Sequence, residues 1–123
     1  MKQKERDLLL KDLCARLPYG VICTDNRHGD SRVFYIDIED ESVYYTDFDE
    51  YGLIENCKPY LRPMSSMTEE EIETYRIIIK SLLKNSVTDN VATLYNFLNS
   101  KHLDYNGLIP KGLALEAPEG MYN

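Results

Sequence analysis

The sequence predicts an α+β domain, and three observations carry that expectation. Apolar residues recur at helical spacing in the first segment. They alternate at strand spacing through residues 33–39, and two further helical patterns follow after residue 67, so strands and helices are segregated along the chain. At 123 residues the chain is expected to be one domain, residues 1–123, large enough to bury a core without metals or disulfides. A composition of 43% hydrophobic and 28% charged residues, with no long apolar run, excludes a disordered chain and argues against a membrane span.

The N-terminal segment places Leu10, Leu13, Cys14 and Leu17 at i, i+3, i+4 and i+7, with Leu9 widening the stripe and Lys11, Asp12 and Arg16 assigned to other faces. Its only apolar run, Leu8 to Leu10, is too short for a signal peptide. Pro18 disfavours helical geometry at Leu17, so the helix is expected to stop there and Val21, Ile22 and Cys23 to begin a strand. After a polar loop over residues 25–30, the alternation puts Phe34, Ile36 and Ile38 on one face and Tyr35, Asp37 and Glu39 on the other. A tight connection at residues 40–42 leads to VYYT, and the two runs pair most simply as a hairpin whose register no turn signature fixes. Leu53 and Ile54 suggest a further strand, and Pro59 and Pro63 make KPYLRP extended or edge-like. The expected sheet is small, mainly antiparallel, and of three to four strands.

Thr68 and Glu71 form a capping box, Met67 and Ile72 occupy the hydrophobic-staple positions, and Glu69 and Glu70 complement the helix dipole, so a helix starts here. Ile72, Tyr75, Ile79, Leu82 and Leu83 supply its apolar stripe. A third helix follows, with Thr88, Asp89 or Asn90 as alternative caps and Val91, Leu94, Tyr95 and Leu98 on one face. Both helices are expected to pack on the sheet. The tail from Leu103 is too apolar to be loose, and is expected to dock with a short strand near Leu113 to Leu115.

The charge is distinctive. Fourteen bases against 21 acids give −7, which disfavours nonspecific nucleic-acid binding. Residues 33–57 hold eight acids and no base, so this stretch carries −8 and the rest of the chain +1. Asp47, Asp49 and Gly52 match three positions of a calcium loop, but Tyr51 and Lys58 stand where further ligands belong, so the stretch reads as a solvated acidic face and no metal or other cofactor is expected. Ten tyrosines and no tryptophan add an interface signal. The candidate interaction surface is therefore Tyr35, Asp37, Tyr44, Asp47, Asp49 and Glu50, facing a basic protein partner. Tyr51 and Tyr60 are further exposed-patch candidates. Cys14, Cys23 and Cys57 are an odd set without a C-x-x-C pair, which fits reduced thiols in a cytoplasm; Lys58 beside Cys57 is a weak activating signal. His28 and His102 read as surface or structural histidines, the latter favoured at a helix C-terminus, and no catalytic motif is present, so the balance leans away from an enzyme.

Three stretches, LPYGVIC at 17–23, KPYLRPMSSMTEEE at 58–71 and the tail at 97–122 containing GLIPKGLALEAPEGMY, resemble a family of small uncharacterised proteins encoded by gut anaerobes and their bacteriophages. That resemblance implies a phage or mobile-element accessory protein and assigns no activity. Proteins of that family tend to carry Trp at the position of Phe97 and Arg at that of Asn106. The shared motifs supply an alternative site, a ligand cleft between Tyr60 and Arg62 and the tail residues Asp104, Tyr105 and Lys111; the competing role is structural, with Arg62 paired to a tail acid and Ser65 or Ser66 serving the turn before the helix. A third possibility is DNA mimicry by the acidic face.

Overall fold

A computed structural model describes residues 1–84 and 88–122, with side chains for all of these except 88–90; the side-chain caps offered by Thr88, Asp89 and Asn90 therefore lie outside what is described. Helix α1 (Gln3–Arg16) runs into a short 3-10 turn at Leu17–Tyr19, where Pro18 and the left-handed Gly20 (φ 72°) stop it as expected. Strands β1 (Ile22–Asp25), β2 (Gly29–Asp37), β3 (Ser42–Tyr45), β4 (Gly52–Leu53) and β5 (Cys57–Leu61) follow, then α2 (Glu69–Lys84), α3 (Thr88–Ser100) and β6 (Leu115–Glu116). The class is α+β, with a sheet of six strands in the order β4-β3-β2-β1-β5-β6. All pairs are antiparallel except β5 with β6. The sheet exceeds the expected three to four strands; its two-residue strands β4 and β6 overlap the short runs at residues 53–54 and 113–115 that suggested strands, but are too short to carry a periodicity of their own.

KPYLRP is extended but internal, between β1 and β6. Pro59 is tolerated because β6 covers only Tyr60 and Leu61, leaving one flank of the proline unpaired. Gly52 is required where β4 meets β3, since a Cβ there would run into the Asp25 carboxylate and the Tyr45 ring. The core joins Leu9, Leu10 and Leu13 of α1 to Val33, Ile36, Val43, Tyr45, Cys57 and Leu61 of the sheet, closed by Leu108, Leu113 and Ala114 of the tail. The tail thus docks as the sequence implies.

Asp12 and Arg16, off the apolar stripe of α1, are both buried, because the tail covers that side of the helix. One expectation needs correction: α2 does not lie on the sheet; its chief packing partner is α3, and none of its residues is fully buried. Its start is as expected: Thr68 N–H donates to Glu71 Oε1 at 2.9 Å, and Glu71 N–H donates to Thr68 Oγ1 at 3.2 Å.

Candidate functional site

The outer face of β2, β3 and β4 carries a row of aromatic rings. Tyr35 pairs directly with Tyr44, so both side chains leave the sheet on the same side with ring centroids 5.3 Å apart. Val43 pairs with Gly52, which brings Tyr51 alongside Tyr44 at 5.6 Å. A β-bulge between Val33 and Tyr35 inserts Phe34, which turns outward as well and meets Tyr44 edge-on at 6.3 Å. The bulge corrects the simple alternation: Val33 and Ile36 face the core, while Phe34 and Tyr35 are 57% and 52% exposed. Tyr51 is 52% exposed, and Leu53, which lines a cleft with it, adds open apolar surface.

The acids around this row are unequal. Asp37 accepts the Asp40 N–H at 3.1 Å and shapes the β2–β3 turn. Asp47 exchanges two hydrogen bonds with Ser31, accepting from its hydroxyl at 3.0 Å and donating its own N–H at 3.2 Å. Glu41 ties that turn to α1 through Arg6, at 3.1 Å. Asp49 and Glu50 are exposed and, with Arg27, Tyr51 and Leu53, line a shallow cleft of about 490 Å³ at the Tyr51 end of the row. His28 lies over Phe48 at 4.9 Å and serves this loop structurally. Among the described residues, no three His, Cys, Asp or Glu side chains gather closely enough to hold a metal ion.

The two long motifs meet elsewhere. The backbone of Arg62 donates to His102 O and accepts from Asp104 N–H, both at 2.8 Å, and Ala117 N–H donates to Leu61 O at 2.7 Å. A cleft of about 610 Å³ opens beside them, lined by residues that include Arg62, Thr68, Lys101, Glu119 and Tyr122. Of the alternative site residues only Arg62 borders it. Its guanidinium makes a two-pronged pair with Glu71, at 2.7 and 2.8 Å, and not with a tail acid; that pair holds the Glu71 carboxyl down to about 2. Tyr60 reaches across the outer face to Asp30 at 3.0 Å. Asp104 accepts the N–H groups of Leu108 and Ile109 at 2.8 and 2.9 Å, capping the tail turn. Tyr105 donates to Asn99 at 2.7 Å, and Lys111 is exposed on the tail, outside the cleft. Ser66 bonds Pro63 O at 2.7 Å, the turn role expected of it.

Beneath the tail lies a buried polar group that sequence reasoning missed. Arg16 Nε donates to Asp12 Oδ1 at 2.6 Å, Arg16 Nη2 donates to Leu103 O at 2.7 Å, and the guanidinium sits 5.1 Å from the centre of the Tyr105 ring. Asn106 donates to Asp12 Oδ2 at 2.8 Å. The i, i+4 spacing of Asp12 and Arg16 was the available signal. His102 is also buried, with Nε2 donating to Tyr19 O at 3.1 Å and its ring stacked 3.8 Å from Tyr122. Burial first, then the nearby Arg16 charge, pushes its pKa down to about 4, so it is neutral at pH 7 and helix-dipole attraction is not what holds it. Cys23 and Cys57 are fully buried on neighbouring strands; burial raises the Cys23 pKa, and strand alternation sends Lys58 to the opposite face from Cys57. No helix among the described residues is long and apolar enough to cross a membrane. No family model, curated protein or solved structure matches the chain.

Proposed function

We propose that the chain is a non-enzymatic protein-interaction module, a phage or mobile-element accessory protein acting in the cytoplasm, which docks a basic protein segment on the outer face of β2, β3 and β4. The row Tyr35–Tyr44–Tyr51 with Phe34 beside it carries this reading: four aromatic side chains on an open sheet face form a preorganised apolar surface with hydroxyl handles. Arginine suits it best. A guanidinium stacks on an exposed tyrosine for about 0.5 to 1 kcal/mol, and the exposed carboxylates of Asp49 and Glu50, the latter only loosely paired with Arg27 at 4.0 Å, steer and orient cations.

The alternatives draw less support. The larger cleft presents an arginine already neutralised by Glu71, and four of the five residues assigned to it lie elsewhere. DNA mimicry wants an array of free carboxylates, whereas Asp37, Glu41 and Asp47 are engaged within the chain.

The test is calorimetric titration with an arginine-rich peptide and with its glutamate-rich counterpart, accompanied by amide chemical-shift mapping. The expected result is binding of the first alone, shifts concentrated at residues 34–53, and an affinity about tenfold weaker in the double variant Y35A/Y51A. Equal affinity in that variant, or shifts confined to the Arg62–Tyr122 cleft, rejects the reading.

A further inference from the structure

The solvent face of α2 separates its charges in a way that intrahelical pairing does not explain. Glu69, Glu73, Arg76, Lys80 and Lys84 are all exposed and lie at i, i+4, i+7, i+11 and i+15, which is a single stripe on a helix of 3.6 residues per turn. The opposite side of the helix, Ile72, Tyr75, Ile78, Ile79 and Leu82, is half-buried, and α3 is the helix that packs against α2. Along the stripe the acids occupy the N-terminal half and the bases the C-terminal half. Neighbours at i, i+4 are therefore alike: Glu69 with Glu73, Arg76 with Lys80, Lys80 with Lys84. Such pairs weaken an isolated helix. The helix dipole rewards charge of these signs only within the end turns, and Glu73 with Arg76, at i, i+3, is the one opposite-charge neighbour pair in the stripe, so the like-charge rows on either side of it go largely uncompensated within the helix. Open apolar residues flank the stripe on both sides, Ile77 at 59% and Leu83 at 83% exposed.

We propose that this face of α2 is a self-association surface, and that its occupant is the α2 helix of a second copy of this chain, antiparallel about a twofold axis passing between Arg76 and Ile77. Reversing the direction of one stripe lays acid on base along its length. Glu69 meets Lys84 of the second copy and Glu73 meets Lys80, each contact occurring twice by symmetry. Ile77 lies beside the axis, where it covers the stem of the other copy's Arg76. The like-charge rows that burden a lone α2 become the two matched halves of an interface. This surface is on a different element from the aromatic row and is independent of the proposed docking of a basic segment.

Sedimentation equilibrium over a micromolar to submillimolar series tests it, with charge variants mixed as well as alone. The wild type is expected to be a concentration-dependent dimer. E73K and K80E, both away from the helix ends and checked for folding by circular dichroism, are each expected to weaken the dimer about tenfold or more; an equimolar mixture of the two is expected to regain it as a heterodimer, because the two reversed charges then face each other and every acid again meets a base. E69K/E73K against K80E/K84E repeats the swap with a larger effect. A wild type that stays monomeric throughout, a dimer that E73K leaves unchanged, or a mixture that fails to restore association overturns the proposal. So does a dimer lost in Y35A/Y51A and kept in E73K, which would place self-association on the sheet.

Discussion

Arg16 keeps a full charge at 0% exposure, and Asp12, two prongs of hydrogen bonding away, is what makes that tolerable. Asp12→Ala would leave the guanidinium buried with the Leu103 carbonyl as its remaining hydrogen-bond acceptor among the described residues, at a cost of about 3 to 5 kcal/mol, whereas replacing both residues by apolar side chains of similar volume should cost less than Asp12→Ala alone. Urea unfolding of the single and double variants checks the order. His102 sets the pH response. Its folded pKa of about 4 lies below the unfolded value near 6.5, so the unfolded chain binds the extra proton between those values. The stability that neutral His102 provides is complete above about pH 6.5 and is lost as pH falls towards 4; Glu71, held at about 2, extends the loss from the ordinary carboxylate range downward. In His102→Asn, a residue that tolerates the positive φ of 55°, the urea midpoint should stay flat between pH 7 and 5 where the wild type declines. An identical decline in both proteins would assign the acid limb to other groups.

Among the elements, the α2–α3 hairpin is the least anchored part of the described fold, because no α2 residue reaches the core. Thr68→Ala removes the hydroxyl that accepts the Glu71 N–H and should cost about 1 kcal/mol. The loss should be local. Hydrogen exchange is expected to quicken through α2 while β1, β2 and β5 keep their protection, since the hairpin can open without unpacking the sheet. The start of α2 was legible because a capping box is a short-range device written in consecutive residues. The bulge at Phe34 was not: one inserted residue sends both Phe34 and Tyr35 outward, and a period-two pattern has no mark for it. Amphipathicity identified α2 as a helix with an apolar face but not what covers that face, so α3 in place of the sheet had to be seen in the fold.

At the scale of the molecule, the tail closes the chain onto its own beginning. Leu108, Leu113 and Ala114 complete the core over α1, and Asp104 fixes the turn that delivers them. The tail's apolar content announced the docking. The candidate surface was legible through composition, with its tyrosines and acids crowded into residues 33–57, while the burial of the Asp12–Arg16 pair escaped because the tail groups that cover it, Leu103 and Asn106, lie 87 and 94 residues from their partners in the chain. Tyr122 is the last tie. Its hydroxyl donates to Tyr60 O at 2.7 Å and accepts the Ile22 N–H at 2.9 Å, linking β5 to the start of β1 where Ile22 also pairs with Arg32. Tyr122→Phe keeps the ring stacked on His102 but strips both backbone groups of that partner, which should cost about 1 to 3 kcal/mol. Because the lesion lies between β1 and β5, it should lower the global unfolding midpoint and speed exchange at Ile22 first; α2 amides, which open through the hairpin, should exchange at unchanged rates. Tyr122→Ala adds the loss of the stacked ring and should lower the midpoint further, and a Tyr122→Phe protein as stable as wild type would mean that the tail is held by its apolar residues and Asp104 alone.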